Sequence, residues 1–320
     1  MCYNLPCRVF LEVALDCLAL CAAGLAGSLQ SGISKVKLST AGSEGMRKQI
    51  SRVVKNGQLI DEKDFHIEKD ASDDYVYDVI RVIDGRPLFA EDHYNRLARS
   101  LHGVGKNIPF SLDEMCGLIQ KLIDANGVAN DNVKIIIPGD STGGDVYLIL
   151  MNAVYPVPAD YEKGVDTELY RAVRIDPHVK KRNLALREAT NEIIARDHVF
   201  EVILTDQNGD VTEGSRSNIF FIRGDVVYTC SESGVLQGVT RKKVIGVCRA
   251  SGIEVKECII SAKSLGDYDA AFISGTSPKV LPIRRIGDVQ MDVNNELLRR
   301  IMRLYDEEME RSCGKAYGHE

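Results

Sequence analysis

Tryptophan is absent from this 320-residue chain and aromatics make up only 6% of it, so aliphatic side chains must supply the core. Positive charge is also in deficit, with 40 Lys and Arg against 46 Asp and Glu and a formal net charge of -6. A generic nucleic-acid binder needs the opposite balance, and that class is set aside. The nine cysteines contain no C-x-x-C pair, and the six histidines form no H-x-x-x-H or H-E-x-x-H pattern, so no metal site is expected. An odd, scattered set of cysteines reads as reduced thiols rather than a disulfide framework, which favours a cytoplasmic protein. There is no G-x-S-x-G elbow and no dinucleotide fingerprint. The Gly-rich G-D-S-T-G-G at 139–144 lacks the lysine of a phosphate loop and reads as a hairpin turn. What remains, 44% hydrophobic and 27% charged residues, is an ordinary globular composition large enough for two lobes.

The first 45 residues stand apart. Residues 9–28 are apolar, but Glu12 and Asp16 interrupt them, and the unbroken run is too short to span a bilayer. Three readings stay open: a start-site extension or disordered arm, an amphipathic helix with Glu12 and Asp16 on one face, and an export signal. No stable membrane association is expected. Met46 opens a stretch that reads like a natural chain start, a strand followed by an Asn56-Gly57 turn.

Periodicity then divides the chain. Residues 46–154 read as a small α+β lobe: a strand at Tyr75–Ile83 ending in Asp84-Gly85, helices at Asp92–Leu101 and Leu112–Ala125, and strands at Val133–Ile137 and Val146–Met151. Ser111 is the expected cap of the second helix. Residues 155–166, with two prolines and no apolar period, read as a linker. Residues 167–320 form a larger lobe, with strands at Glu201–Thr205, Asn218–Ile222, Val226–Thr229 and Asp269–Ser274. Helices are expected at Arg241–Ala250 and Asn294–Arg311.

Several short segments carry candidate chemistry. In V-K-K-R-N, Lys180 or Lys181 can become a nucleophilic amine if burial or a nearby cation lowers its pKa. A solvated basic turn would look the same. In V-T-E-G-S-R-S-N, Glu213 can pair with a protonated ring nitrogen, or sit as a surface carboxylate on a hairpin. L-Q-G-V-T-R, residues 236–241, opens a helix whose unpaired N–H groups bind phosphate, and any capped helix start resembles it. S-G-T-S at 274–277 is a second hydroxyl-rich turn suited to phosphate oxygens. His93 and Arg96 lie one helical turn apart, and Arg96 can reach an anion from the small lobe.

Taken in this order and spacing, the segments resemble the class IV aminotransferases, the fold-type IV pyridoxal-phosphate enzymes, over about residues 50–290. That family includes branched-chain and D-amino-acid aminotransferases and aminodeoxychorismate lyase. The resemblance implies a two-lobe α+β fold, pyridoxal 5'-phosphate as cofactor, amino acid and 2-oxo acid as substrates, and a homodimer. It selects Lys180, through the K-x-x-N spacing to Asn183, as the Schiff-base lysine and proton carrier of a ping-pong transamination. It assigns Glu213 to the pyridine nitrogen, Leu236 to the ring face, and Arg96, Val239, Thr240 and Thr276 to the phosphate. Tyr77, Lys134 and Ser277 become substrate candidates.

The departures concern the substrate. Lys134 stands where many relatives have arginine, Pro138-Gly139 follows where several have another, and the P-R-x-H carboxylate trap is missing. Tyr75 replaces a glycine and Asp78 a glutamate. The donor is left open, a branched-chain amino acid among the options. The rival within the fold is a 4-amino-4-deoxychorismate lyase, and outside catalysis an idle cofactor-binding protein.

Overall fold

A computed structural model of the chain describes residues 51–65, 75–139, 145–151, 153, 155–172 and 176–314. The expectations for residues 1–45 and for most of the Gly-rich turn at 139–144 lie outside the described residues. The architecture is α+β, built on two sheets.

The first sheet holds six strands: β1 (Arg52–Lys55), β2 (Gln58–Asp61), β3 (Tyr75–Ile83), β4 (Arg86–Pro87), β5 (Asp131–Pro138) and β6 (Tyr147–Met151). Their order is β2-β1-β6-β5-β3-β4. Asn56-Gly57 and Asp84-Gly85 make the hairpins, with positive φ at both residues of each pair, as a type I′ turn requires. The alternation of β3 gives it two different faces. Val76, Ile80 and Val82 pack with α1 (Ala90–Gly103) and α2 (Leu112–Asn126), among Leu97, Leu101, Met115, Ile119 and Leu122. Tyr75 and Tyr77 lie on the other face with Ile136 and Tyr147. Ser111 caps α2 in a capping box with Glu114, and Gly127 closes it in the left-handed region.

The interval 155–166 is not the featureless linker its prolines suggested. Pro158 occupies the first turn of a short helix, α3 (Pro158–Lys163), where its missing N–H costs nothing. The Asp160 carboxylate accepts from the Val157 N–H at 2.9 Å. Strand β7 (Val165–Arg171) starts inside the same interval. A further helix, α4 (Leu184–Asp197), carries little amphipathic signal: only Thr190 and Ile193 are buried along it.

The second sheet has ten strands: β7, β8 (Glu201–Thr205), β9 (Asp210–Gly214), β10 (Asn218–Arg223), β11 (Val226–Cys230), β12 (Glu254–Cys258), β13 (Ile260–Ser261), β14 (Ala270–Gly275), β15 (Lys279–Ile286) and β16 (Val289–Gln290). The order is β12-β11-β10-β14-β15-β7-β8-β9-β13, with β16 on β15. Both faces of its centre are covered, which is why N-I-F-F-I in β10 is apolar without alternation. Phe220 and Ile222 pack toward α5 (Val239–Ala250) and α6 (Glu296–Ser312), while Ile219 and Phe221 join the opposite core. Phe220 stacks on Phe272 with centroids 4.8 Å apart. Burying one such ring contributes about 1.5–3 kcal/mol.

The turn after β14 docks the second sheet on the first. The Asn132 amide of β5 donates to the Ser277 hydroxyl at 2.8 Å, and Arg81 of β3 donates to the Ser277 carbonyl at 3.5 Å. Asn132 also accepts from the Tyr155 hydroxyl at 3.0 Å and is fully buried. Asn132→Ala is expected to lower unfolding stability by about 1–3 kcal/mol, because two partners lose a buried contact. A urea titration against the parent chain checks this, and an unchanged midpoint would remove Asn132 from the docking contact.

Candidate active site

The site is organised along β3. On one edge β3 pairs with β5 throughout, and on the other β4 reaches only Val82 and Ile83. The remaining edge is taken by residues 180–182. Tyr77 N–H donates to the Lys180 carbonyl at 3.0 Å, Arg182 N–H donates to the Tyr75 carbonyl at 3.2 Å, and Val76 faces Lys181 as an antiparallel bridge. Residues directly opposite in such a ladder share a face. Lys180 therefore lies on the Tyr77 face, its Nζ 4.9 Å from that ring centroid, and Arg182 lies over Tyr75 at 5.6 Å. Lys181 is on the Val76 face. The Lys180 N–H donates to the Ser100 hydroxyl of α1 at 3.1 Å, which fixes the segment from the helix side as well. Asn183, the last residue of K-x-x-N, caps α4 by accepting from the Leu186 N–H at 3.1 Å.

Asp78, the next residue of β3, is buried between His93 and Arg96 of α1. Arg96 donates Nε to Oδ2 at 2.8 Å and Nη2 to Oδ1 at 2.6 Å, a bidentate pair. His93 Nδ1 lies 2.8 Å from Oδ1 and must carry its proton to donate there, so its 3.3 Å approach to Arg96 Nη2 is only a contact. Burial pushes the Asp78 carboxyl up, but Arg96 and His93 together outweigh it and hold the group well below the usual carboxylate range. Burial pushes His93 down from its ordinary value, against the pull of Asp78. Arg96 Nη1 makes no hydrogen bond among the described residues, so one amino group of the guanidinium is left for another acceptor.

Thr276 completes this row by donating to the Val79 carbonyl at 3.3 Å. Lys180, Arg96 and Thr276 thus each contact one of three consecutive residues of one strand, Tyr77, Asp78 and Val79. Ser277 is spent on docking, its hydroxyl accepting from Asn132. Lys134 of β5 is beside Lys180, with Nζ donating to the Tyr75 hydroxyl at 2.7 Å and lying 4.8 Å from the Tyr77 ring centroid.

A second group forms where β9 meets the start of α5. Glu213 is 2% exposed, and its Oε2 accepts from the Leu236 N–H at 3.1 Å and the Asn218 amide at 3.5 Å. That amide also donates to the Leu236 carbonyl at 2.9 Å. Gly238 caps α5 without a side chain, and a Cβ there would strike the Asn218 amide oxygen, so L-Q-G needs its glycine. The N–H groups of Val239 and Thr240 therefore meet no side-chain cap, while the Thr240 hydroxyl is engaged with Tyr305. Asp92 of α1 accepts from Lys242 at 2.5 Å and pairs with Lys243 at 3.0 Å, joining the Arg96 helix to this helix start. A cavity of about 270 Å³ opens between the two helices, lined by Asn95, Arg99, Gly238 and Val239 among others; Lys180 and Glu213 are not in its wall.

The motif reading overlooked Asn218 and Ser100. Ser100 follows Arg96 by four residues on the inner stripe of α1, and Asn218 closes the E-G-S-R-S-N turn, so helical spacing and hairpin register would have pointed to both. Among the described residues no group of three or more His, Cys, Asp and Glu is arranged to hold a metal. Asp78→Asn is expected to cost about 3–5 kcal/mol of stability at neutral pH, since it leaves a buried guanidinium half-paired. Asp78 has a depressed folded pKa, so its contribution is present above its ordinary value of 3.8 and is lost as pH falls below that. Denaturant unfolding of both forms at pH 7 and pH 3 checks this; a gap that stays constant would contradict it.

The profile of the amino-transferase class IV family matches residues 75–286, which contain both groups. The chain is 29% identical over 229 residues to a "Probable branched-chain-amino-acid aminotransferase" of Thermotoga maritima, covering 70% of this chain and 82% of that one. It is 27% identical over 289 residues to a D-alanine aminotransferase of Listeria monocytogenes, covering 82% of this chain and 98% of the relative. The crystal structure of the Escherichia coli branched-chain amino acid aminotransferase superposes with a TM-score of 0.74 at 23% identity, over 85% of this chain and 97% of that one. A candidate 4-amino-4-deoxychorismate lyase from Legionella pneumophila shares the fold with a TM-score of 0.66 at 21% identity, over 73% and 91%. With its family profile spanning the strand, lysine and helix start described above, the chain belongs to the class IV aminotransferases, a family of pyridoxal-phosphate enzymes.

Proposed function

We propose that this aminotransferase moves an amino group between an amino acid and a 2-oxo acid in two half-reactions, with Lys180 as the catalytic lysine. The observation that carries the reading is the pairing of residues 180–182 with β3, which sets the Lys180 amine on the same face as Tyr77. The residues present fit pyridoxal phosphate in donor chemistry. There is an amine on a fixed backbone, a buried carboxylate, a helix start without a side-chain cap, and an arginine with an amino group to spare. The Ser274 hydroxyl adds a buried donor with no partner among the described residues, directly across the ladder from Asn218.

In this reading pyridoxal phosphate, when bound, supplies the electron sink that stabilises negative charge at the substrate Cα. Lys180 would hold the cofactor through Nζ, and its amine is the group that would take the substrate Cα proton as base and return it as acid. Glu213 would pair with the pyridine nitrogen and keep a proton there. The N–H groups of Val239 and Thr240, Arg96 Nη1 and Thr276 hold the phosphate. Leu236 covers one ring face. Tyr77, Lys134 and Ser277 border the substrate. Ser277 is the weakest of these because of its bond to Asn132. A homodimer and a cytoplasmic setting belong to the same reading; Cys116, Cys230, Cys248 and Cys258 are free thiols, and no described helix is long and apolar enough to cross a membrane.

Visible absorbance of the purified protein tests the assignment. A band from lysine-bound cofactor is expected in the parent and in Lys181→Ala, and its loss is expected in Lys180→Ala. A panel of L- and D-amino acids should bleach it, and a 2-oxo acid should restore it. Pyruvate release from aminodeoxychorismate with no bleaching by amino acids would favour the lyase. Absence of any band after loading with cofactor would sink the site.

A further inference from the structure

Glu201 opens β8 and is only 3% exposed, yet it forms no ion pair among the described residues. A buried carboxylate without a cation is costly unless hydrogen bonds satisfy it. Four donors do so here, and three of them come from the E-G-S-R-S-N turn. Oε1 accepts from the Ser215 hydroxyl at 2.6 Å and from the Val202 N–H at 2.9 Å. Oε2 accepts from the Ser217 hydroxyl at 3.0 Å and from the Arg216 N–H at 3.2 Å. The turn is wrapped around one side chain of the neighbouring strand.

The glycine of the motif makes room for it. A Cβ on Gly214 would strike the Ser217 hydroxyl and come within 3.3 Å of the Glu201 carboxylate. Gly214 and Ser217 close the turn by exchanging backbone hydrogen bonds, at 2.8 Å from the Gly214 N–H and 3.4 Å from the Ser217 N–H. Gly214 directly follows Glu213, and Ser217 directly precedes Asn218, so the closure fixes both ends of the pair that meets Leu236. Arg216, within the turn, donates to Asn191 of α4, the helix that Asn183 starts after the lysine segment. One turn thus joins the carboxylate at 213 to the helix that follows Lys180, and Glu201 sets its shape.

The carboxylate cannot be replaced by an amide without loss. Each of its oxygens accepts from one backbone N–H, and such a group can only donate. In either orientation, a glutamine would turn its NH2 toward one of these N–H groups. Given Glu213 at the pyridine nitrogen, the assignment proposed above on which this depends, we infer that Glu201 is its positioning residue. Through Ser215, Ser217 and the Arg216 N–H, it holds the turn that keeps the Glu213 carboxylate opposite the ring nitrogen.

A 1-deaza analogue of pyridoxal phosphate, with C–H in place of the ring nitrogen, tests this, because it removes the partner of Glu213. Equilibrium dialysis of the full-length protein gives the affinity for each cofactor without turnover. Glu213→Ala sets the scale, and should weaken pyridoxal phosphate about tenfold to a hundredfold relative to the analogue. Glu201→Gln should show about tenfold of the same selective loss, and Ser217→Ala, which removes one donor, a smaller part. Equal weakening of both cofactors would make Glu201 a structural residue of the hairpin, and no weakening would detach Glu213 from it; either result overturns the inference. Should Glu201→Gln fail to fold, Ser217→Ala decides by the same comparison. If Glu213→Ala does not discriminate between the cofactors, the Glu213 assignment fails and the inference falls with it, while a visible band lost only in Lys180→Ala leaves the lysine assignment standing.

Discussion

Two backbone hydrogen bonds decide which lysine faces Tyr77. Pairing of residues 180–182 with the open edge of β3 sets Lys180 on the Tyr77 face and Lys181 on the other. A slip by one residue would exchange them, because side chains alternate along a strand. The segment is short, so its register needs more than two bonds. Ser100 holds the Lys180 N–H from α1, and Asn183 ends the segment by capping α4. The lysine is thereby set on a strand edge between two helices, and the K-x-x-N spacing acquires a physical reason: the asparagine stops the strand and starts the helix.

The same strand organises the charges. Asp78 is buried, and its two contacts with Arg96 orient the guanidinium while neutralising most of what its burial would cost. Arg96 without Asp78 would be a charged side chain with nothing to fix its plane. Glu213 is handled by a different means, through a neutral amide and a backbone N–H. Those contacts also fix Leu236 two residues ahead of the Gly238 cap, so the carboxylate and the open helix start are parts of one unit. The pairs from Asp92 to Lys242 and Lys243 tie that unit to the Arg96 helix. The helix of Arg96 and the helix that follows Gly238 are held in register by these ion pairs.

Much of this was legible in the sequence where local signals and packing agree. Tyr75–Ile83, Glu201–Thr205 and the Ser111 cap follow from alternation and capping chemistry, and the structure has them at those residues. The short helix at Pro158–Lys163 was hidden because proline reads as a breaker unless its position in the first turn is known. Helix α4 was hidden because it buries only Thr190 and Ile193, too little to mark a stripe. The residue types of the candidate site were legible as motifs. Their convergence on Tyr77, Asp78 and Val79 was not, since it arises from a non-local strand addition that no window of sequence contains.

The turn at Ser274–Ser277 links the candidate site to the docking of the sheets. Thr276 bonds β3 and Ser277 bonds Asn132 of β5, two residues along the chain from Lys134. In β5, Asn132 and Lys134 point to the same side of the sheet, one toward the docking turn and the other toward Tyr75 and Tyr77. The surface that joins the sheets is therefore continuous with the wall beside Lys180.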